Sequence, residues 1–317
     1  MNIKITGYLK HVISSVLITN SKPMILNRTI EHNLARVRQI LTDPLSSGPA
    51  FQFSRRCFGN LAGMKQNLKG RIEERAARFL NSSESFPAYE EFVKKLTIDG
   101  ITTVPEFYDS ALIERISNRF ESLVDDVTVT RNPPPDKMWN YRRDIDPADQ
   151  VLPELFELVD ERVSNILTGY YKSPFQINWC KIWRNLNVPR EMTEQQEFFS
   201  SHWHNDSTKC SKISLFILLS DVTEDDGPMH VMTKPRTQFL IRKGFGQRDD
   251  YKIPSEVLED PAHVIKFTGR AGTAIICSTA MCLHRASIPI QGHHRDMVRI
   301  DFLPSRISGS LDRLVTS

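Results

Sequence analysis

A short stretch of the chain, residues 202–206, brings together side chains that can hold a metal ion. It contains His202, His204 and Asp206, with a single residue between each and the next. Successive side chains of an extended strand point to opposite faces, so residues two apart share a face. The spacing therefore predicts that His204 and Asp206 point the same way.

Two later residues extend this set. His284 follows a β-rich run 80 residues after His204, and Arg295 lies 11 residues further on. Two imidazoles and one carboxylate form the facial ligand set of non-haem Fe(II) oxygenases, which leaves coordination positions open for a 2-oxo acid and dioxygen. Because a guanidinium fork binds carboxylates, Arg295 is a candidate to hold the far carboxylate of such a co-substrate.

The same residues permit another interpretation. His202 and His204 have the spacing of cupin ligands and could join His284 in a metalloprotein that does not use 2-oxoglutarate. A cupin set would also require a glutamate shortly afterwards, and none follows until Glu224. A non-catalytic binding module on the same fold is a further alternative. His-x-Asp alone occurs by chance in many chains, and only its combination with the later residues favours the iron site.

The hydrophobic pattern changes from helical to β-rich near Tyr170. Ala111–Val124 and Leu152–Leu167 carry apolar residues at spacings of three and four, which predicts amphipathic helices. Short β-rich runs with turn signals then follow. They are Phe175–Trp183, Ile213–Val222, Gly227–Met232, His263–Phe267, Ala271–Ser278 and Met297–Leu303. The pattern predicts an α+β fold in which a helical half packs against an all-β sandwich or barrel.

Composition and cysteine content exclude several classes of protein. The chain has 317 residues, of which 40% are hydrophobic and 25% charged. No apolar run reaches the roughly 20 residues of a membrane-spanning helix. The five cysteines contain no CxxC pair, which argues against a disulfide framework and a structural zinc site. We therefore expect a cytoplasmic protein.

Charge and composition divide the chain into parts. We predict a basic, mainly helical extension over residues 1–85, including helices at Glu31–Leu41 and Met64–Leu80, a main domain over 86–306 and a tail over 307–317. Residues 1–87 hold 13 Lys and Arg against 5 Asp and Glu, a balance of +8, whereas the remainder has a balance of −5. Contact with an anionic membrane is one explanation, but solvated helix faces are the simpler one. No basic repeat with interleaved aromatic residues indicates nucleic-acid binding.

From about Phe86 to Leu303 the chain resembles the phytanoyl-CoA dioxygenase-like family of Fe(II)/2-oxoglutarate-dependent oxygenases. The resemblance rests on five features. They are the opening Leu96–Pro105, the His202–Asp206 stretch, the segment Leu218–Met229, the turn Gly269–Ala274 and the interval from His284 to Arg295. The chain departs from the family pattern at Thr233–Arg236, where relatives usually carry Pro-Gly-Ser/Thr-His.

The resemblance implies a fold, a reaction and a set of site residues. The fold would be a double-stranded β-helix, or jelly roll, over residues 171–306, with a helical part over 86–170. The reaction would be hydroxylation of a C–H bond with Fe(II), 2-oxoglutarate and dioxygen, releasing succinate and CO2, with ascorbate as a stimulant. The implied residues are His204, Asp206 and His284 as iron ligands, Arg295 as the 2-oxoglutarate clamp with Arg299 as its rival, and Lys181 near the co-substrate.

The substrate is expected to contact residues outside the β core, because loops carry specificity on a rigid scaffold. The cluster Trp139-Asn140-Tyr141-Arg142-Arg143 combines aromatic surfaces with cations. It suits a small polar or anionic molecule, and we take Trp139, Tyr141 and Arg142 as candidate substrate contacts.

Overall fold

The computed structural model describes residues 45, 48–80, 86–104, 106–131, 133, 134, 136–206 and 208–306. The predicted helix Glu31–Leu41 and the tail 307–317 lie outside the described residues. The helices are α1 (Gly48–Phe58), α2 (Met64–Leu80), α3 (Glu90–Asp99), α4 (Ser110–Leu123), α5 (Glu161–Tyr171), α6 (Arg190–Thr193), α7 (Lys234–Arg242) and α8 (Ser255–Leu258). The strands are β1 (Ile101–Thr103), β2 (Arg142–Ile145), β3 (Phe175–Leu186), β4 (Ile213–Leu218), β5 (Met229–Met232), β6 (Val264–Phe267), β7 (Ala274–Cys277), β8 (His284–Ala286) and β9 (His294–Pro304).

The strands form two antiparallel sheets. The larger has the order β1-β7-β4-β9-β3-β2 and the smaller the order β6-β5-β8. The long strands β3 and β9 pair along their whole length, with a bulge between Ile177 and Trp179. The prediction of a mixed fold of helices and sheet is confirmed, but β1 and β2 lie within the part predicted to be helical.

Each face of the larger sheet packs against a different layer. One face packs against the smaller sheet, where Phe216 and Met297 contact Val231 and Phe267. The other face packs against helices α3, α4 and α5 through residues such as Ile300. Because side chains alternate along a strand, the residues of β9 that face the smaller sheet are those at odd-numbered positions, from 295 to 301. These are the positions that can line a site between the sheets.

Three local predictions differ from the structure. The apolar stripe Leu152–Leu167 is not one helix but a 3₁₀ helix, Pro153–Leu158, followed by α5. The reason is Asp160, whose side chain caps the N-terminus of α5 by accepting a hydrogen bond from the Val163 amide at 3.1 Å. Strands β1, β2 and β8 are absent from the sequence prediction, since β1 and β8 have only three residues each and the four residues of β2 are mostly charged. The ligand stretch is extended, but only His204 forms a β-bridge there.

The described part of the predicted extension packs onto the rest of the molecule. The Arg78 side chain donates to the Tyr171 carbonyl at 3.1 Å. Lys209 pairs with Glu73 at 2.9 Å. The side-chain amide of Asn60 lies 3.3 Å from the sulfur of Met281. Helix α2 therefore packs against the end of α5 and against Lys209, and the segment between α1 and α2 contacts the loop that connects β7 to β8. Among the described residues, no helix is long and apolar enough to cross a membrane.

Candidate active site

His204 and His284 lie side by side because their backbones are hydrogen bonded to each other. The amide of His204 donates to the carbonyl of His284 at 3.1 Å, and the reverse hydrogen bond is 2.9 Å long. The two imidazole ring centroids are 4.3 Å apart. This short bridge brings together two residues that are 80 positions apart in the sequence.

Backbone carbonyls set the orientation of both rings. The Nδ1 of His204 lies 2.8 Å from the carbonyl oxygen of His202, and the Nδ1 of His284 lies 3.1 Å from that of Cys282. A proton on each Nδ1 satisfies these contacts and leaves the Nε2 lone pair available for a metal. Burial lowers the pKa of both imidazoles, that of His284 to about 3 with a further contribution from His204. Both rings are therefore neutral near pH 7, as metal ligands must be.

Asp206 supplies the third candidate ligand. Its Oδ1 lies 3.6 Å from the Nε2 of His284, while its Oδ2 accepts hydrogen bonds from Arg299 at 2.6 Å and Lys212 at 2.9 Å. Burial alone would raise the pKa of Asp206, but the positive charges of Arg299 and Lys212 hold it well below its usual range. The carboxylate is thus charged, and one of its oxygens is held in place by cations.

The three side chains form a compact set of donors. One ligand atom from each of His204, Asp206 and His284 lies within 4.8 Å of the others. Two neutral imidazoles and a charged carboxylate are suited to bind a first-row divalent metal. Three such ligands leave coordination positions of the metal open. The donor chemistry therefore fits a non-haem iron site.

His202 points away from this set. Its Nδ1 lies 3.4 Å from a carboxylate oxygen of Asp250, and the side chain is 48% exposed. Only its backbone carbonyl reaches the site, through the hydrogen bond to His204 described above. A regular strand would place His202 on the same face as His204 and Asp206, but the segment is not a regular strand and the His202 side chain turns away.

Arg299 and Arg295 share a face of β9 but have different surroundings. Arg299 binds Asp206 and also Asp301, the latter through its Nε at 2.7 Å, so its charge is neutralised within the protein. Arg295 is 1% exposed, and its Nε and Nη1 are buried without a hydrogen-bond partner among the described residues. Burial lowers the pKa of Arg295 to about 9, with a further contribution from Arg142. A buried guanidinium without a counter-ion is costly, so its position fits an acidic ligand.

The site opens into a cavity of about 190 Å³ between the two sheets. Its wall contains the metal-binding group together with both arginines of β9. The other lining residues are Arg142, Trp179, Lys181, Trp183, Asn185, Phe199, Ser200, Phe216, Met229, Arg285, Ala286 and Met297. Positive side chains and aromatic rings therefore dominate the surface that a ligand would meet.

Some of the predicted substrate and co-substrate residues line this cavity, and others do not. Lys181 and Arg142 line it, as the sequence suggested. Tyr141 instead packs edge-on against Phe198, and Trp139 lies under the Arg143 guanidinium at 3.9 Å. Trp139 and Tyr141 are not among the lining residues, so of the three candidate substrate contacts only Arg142 reaches the cavity.

Sequence reasoning missed three charged residues that organise the site. Lys212 bridges Asp206 and Asp301, and Asp144 pairs with Arg142 at 2.6 Å and with Lys181 at 3.0 Å. A signal for two of them was present, because Asp144 and Asp301 each lie two residues after an arginine within a strand and so share its face. Cys277 and Cys282 are buried free cysteines.

Comparison with known proteins gives similarity at the level of structure alone. No protein-family model matches the sequence, and no curated protein matches it. The epimerase SnoN, in complex with Fe3+, alpha ketoglutarate and nogalamycin RO, is similar with a TM-score of 0.52 and 15% identity, over 68% of this chain and 83% of that chain. EctD from S. alaskensis with bound Fe is similar with a TM-score of 0.53 and 15% identity, over 71% and 80% of the chains.

The chain has the fold of non-haem iron, 2-oxoglutarate-dependent enzymes. A second EctD structure, with 2-oxoglutarate and 5-hydroxyectoine, is similar with a TM-score of 0.52 and 14% identity, over 71% of this chain and 79% of that chain. The fold that the sequence prediction implies is thus supported, whereas membership of the oxygenase superfamily and of its phytanoyl-CoA dioxygenase-like branch stays a prediction.

Proposed function

We propose that the chain is a non-haem Fe(II)- and 2-oxoglutarate-dependent dioxygenase that hydroxylates a C–H bond of a small polar or anionic metabolite. We assign its core to the double-stranded β-helix and its branch to the phytanoyl-CoA dioxygenase-like family. One observation carries the proposal. The His204–Asp206–His284 donor set lines the same cavity as the guanidinium of Arg295, whose Nε and Nη1 have no hydrogen-bond partner in the part of the chain that the structure describes.

The residues of this chain would bind and orient the two cofactors. The Nε2 atoms of His204 and His284 and the Oδ1 of Asp206 would hold the iron, with Nδ1 of each imidazole anchored to a carbonyl. Arg295 would bind the far carboxylate of 2-oxoglutarate, and Lys181 would add positive charge nearby. Bound together, iron and 2-oxoglutarate reduce dioxygen with release of succinate and CO2 and supply the oxidant for the substrate C–H bond.

The cavity wall would protect the reaction from water. Trp183, Phe216, Met229 and Met297 line the cavity and belong to the buried apolar cluster between the two sheets. Their apolar surfaces lower the local dielectric and so strengthen the charge interactions of Asp206. The protein would then orient the reacting groups and exclude water, while the cofactors would supply the oxidative chemistry.

Two alternatives have less support. A cupin-like centre requires His202 as a ligand, and the structure places that side chain against Asp250. A non-catalytic module would have no need of a buried guanidinium beside a metal-binding group. The reaction outcome is a separate question, because one structural neighbour is described as an epimerase. Product analysis by mass, in which hydroxylation adds one oxygen atom, decides between these outcomes.

The test uses the purified full chain. We expect it to bind one Fe(II) and, under anaerobic conditions, to develop the weak visible charge-transfer band of an iron–2-oxoglutarate chelate when 2-oxoglutarate is added. In air, with ascorbate and without a prime substrate, slow formation of succinate is expected. A folded, iron-loaded protein that shows neither the band nor succinate would contradict the proposal.

A further inference from the structure

The cavity wall carries more positive charge than a single co-substrate needs. Five cationic side chains line it, namely Arg142, Lys181, Arg285, Arg295 and Arg299. They differ in the carboxylates that pair with them, and this comparison shows which cations keep an unbalanced positive charge.

Two of the five are already neutralised by carboxylates. Arg299 contacts both Asp206 and Asp301, as described above. Arg285 donates to Glu259 at 2.7 Å and lies over the Trp203 ring. Neither has charge left over for a ligand.

Arg142 and Lys181 share a single carboxylate. The Nε of Arg142 donates to Oδ1 of Asp144 at 2.6 Å, and Nζ of Lys181 lies 3.0 Å from Oδ2 of the same group. Asp144 is buried, and its nearby neighbour Asp146 is itself paired with Arg131 at 2.6 Å. This cluster, which β2 and β3 contribute to the cavity wall, therefore keeps a surplus positive charge.

Arg142 presents that charge to the cavity. Its Nε is engaged by Asp144, whereas its two terminal amino groups form no hydrogen bond to any residue that the structure describes. The guanidinium lies 5.5 Å from the ring centroid of Trp183, within the range of a cation–π contact. Its side chain is 20% exposed, whereas Arg295 is almost fully buried, so the two arginines differ in depth.

We infer that Arg142 binds an anionic group of the prime substrate, a carboxylate or a phosphate, while Arg295 holds the co-substrate. The inference rests on the proposed function, because it assigns Arg295 to 2-oxoglutarate. The guanidinium fork of Arg142 matches two oxygens of either group. At about 190 Å³ the cavity is smaller than a typical ligand pocket of roughly 300–1,000 Å³, so it admits a small molecule or only the reactive end of a larger one.

The test measures whether a small acid binds beside the co-substrate. The probes are pentanoate with its uncharged counterpart pentanamide, and butyl phosphate with 1-butanol. Each is titrated into the full chain loaded with Fe(II) under anaerobic conditions, with and without saturating 2-oxoglutarate. Line broadening of the probe by the paramagnetic iron reports binding close to the metal.

With 2-oxoglutarate present, we expect one acid of the two pairs to bind about 10- to 100-fold more tightly than its neutral counterpart, as befits a hydrogen-bonded charge pair. Whether pentanoate or butyl phosphate shows the larger preference distinguishes a carboxylate from a phosphate. Arg142→Gln should remove the preference, and Arg142→Lys, which keeps the charge but not the fork, should retain part of it. In both variants Asp144 keeps Lys181 as a partner, which favours folding.

Arg143→Gln is the matched control. Arg143 is the next residue on β2 and pairs with Asp125 outside the cavity, so its replacement should leave probe binding unchanged. The inference is overturned if no probe binds, if acid and neutral probes bind equally, or if Arg142→Gln keeps the preference. It is also overturned if the acids bind only without 2-oxoglutarate, since they would then occupy the Arg295 site. Failure of the wild-type chain to bind 2-oxoglutarate at all would identify the proposed function as the error.

Discussion

At the scale of single residues, Asp206 and His202 have opposite surroundings although they lie close in sequence. Asp206 joins the metal-binding group and is held by Arg299 and Lys212, whereas the His202 side chain is half exposed. Asp206→Ala should abolish succinate formation and lower iron affinity by ~10–100-fold or more, since a lost ligand should cost more than a lost outer hydrogen bond.

His202→Ala is the matched comparison and should retain activity, because the contact to His204 comes from its backbone carbonyl. Iron titration and succinate formation measure both variants, and thermal unfolding checks that each is folded. An inactive His202→Ala beside an active Asp206→Ala would favour the cupin-like centre and remove 2-oxoglutarate from the mechanism.

The two arginines of β9 give a second prediction at this scale. Arg295→Ala should weaken 2-oxoglutarate binding by a few hundred- to several thousand-fold, since breaking a buried ion pair costs about 3–5 kcal/mol. Its affinity for Fe(II) should change far less, because Arg295 does not contact the metal-binding group in the structure. Anaerobic titration of the charge-transfer band measures both constants.

Arg299→Ala should have a different profile. It leaves Asp206 and Asp301 with Lys212 as their remaining cation, so we expect lower stability and weaker iron binding, with a smaller effect on 2-oxoglutarate than Arg295→Ala has. If instead Arg299→Ala gave the larger loss of 2-oxoglutarate affinity, the clamp would lie four residues further along β9.

At the scale of elements, a cap rather than the apolar pattern decides where α5 begins. Asp160 accepts the Val163 amide hydrogen bond and also binds Arg162 at 2.6 Å. Asp160→Ala should lower the free energy of unfolding by about 0.5–2 kcal/mol. Glu161→Ala, in the same turn but exposed, should cost less because it removes only a charge near the helix terminus. Urea unfolding measures the free energy of both variants. Equal losses would show that the Asp160 cap does not stabilise the start of α5.

The elements also show what the sequence could and could not predict. Helix α2 has the predicted bounds Met64–Leu80. The long strand β3 was predicted because its β-rich stretch, Phe175–Trp183, is long enough to detect although polar residues interrupt it. Strand β2 was missed, since Arg142–Ile145 is short and polar. The candidate substrate contacts Trp139, Tyr141 and Arg142 were therefore predicted from their residue types alone. Of these three, only Arg142 lines the cavity. His204 and His284 were predicted because ligand chemistry limits residue types, whereas Lys212 depends on tertiary contacts that no local pattern encodes.

At the scale of the whole molecule, a buried polar cluster within the described part of the extension lies against the main body. The Nδ2 of Asn67 lies within hydrogen-bond distance of Ser54, Asn60, Ala62 and Gly63, and Asn67 is fully buried. The cluster is continuous with the loop between β7 and β8, since Asn60 also contacts Met281. These contacts predict that residues 48–80 unfold together with the domain that carries the site, although the sequence divides the chain near residue 85.

Asn67→Ala tests this prediction. It removes from the buried cluster the side-chain hydrogen bonds that Asn67 makes with Ser54, Asn60, Ala62 and Gly63, which should cost about 1–3 kcal/mol. If the molecule unfolds as one unit, calorimetry should show a single transition whose midpoint falls, and loss of succinate formation on heating should follow the same shift. Lys69→Ala, an exposed replacement on the same helix, should leave the midpoint unchanged. A separate low-temperature transition in Asn67→Ala, with the activity loss still at the wild-type temperature, would instead make residues 48–80 an independent unit and support the boundary near residue 85.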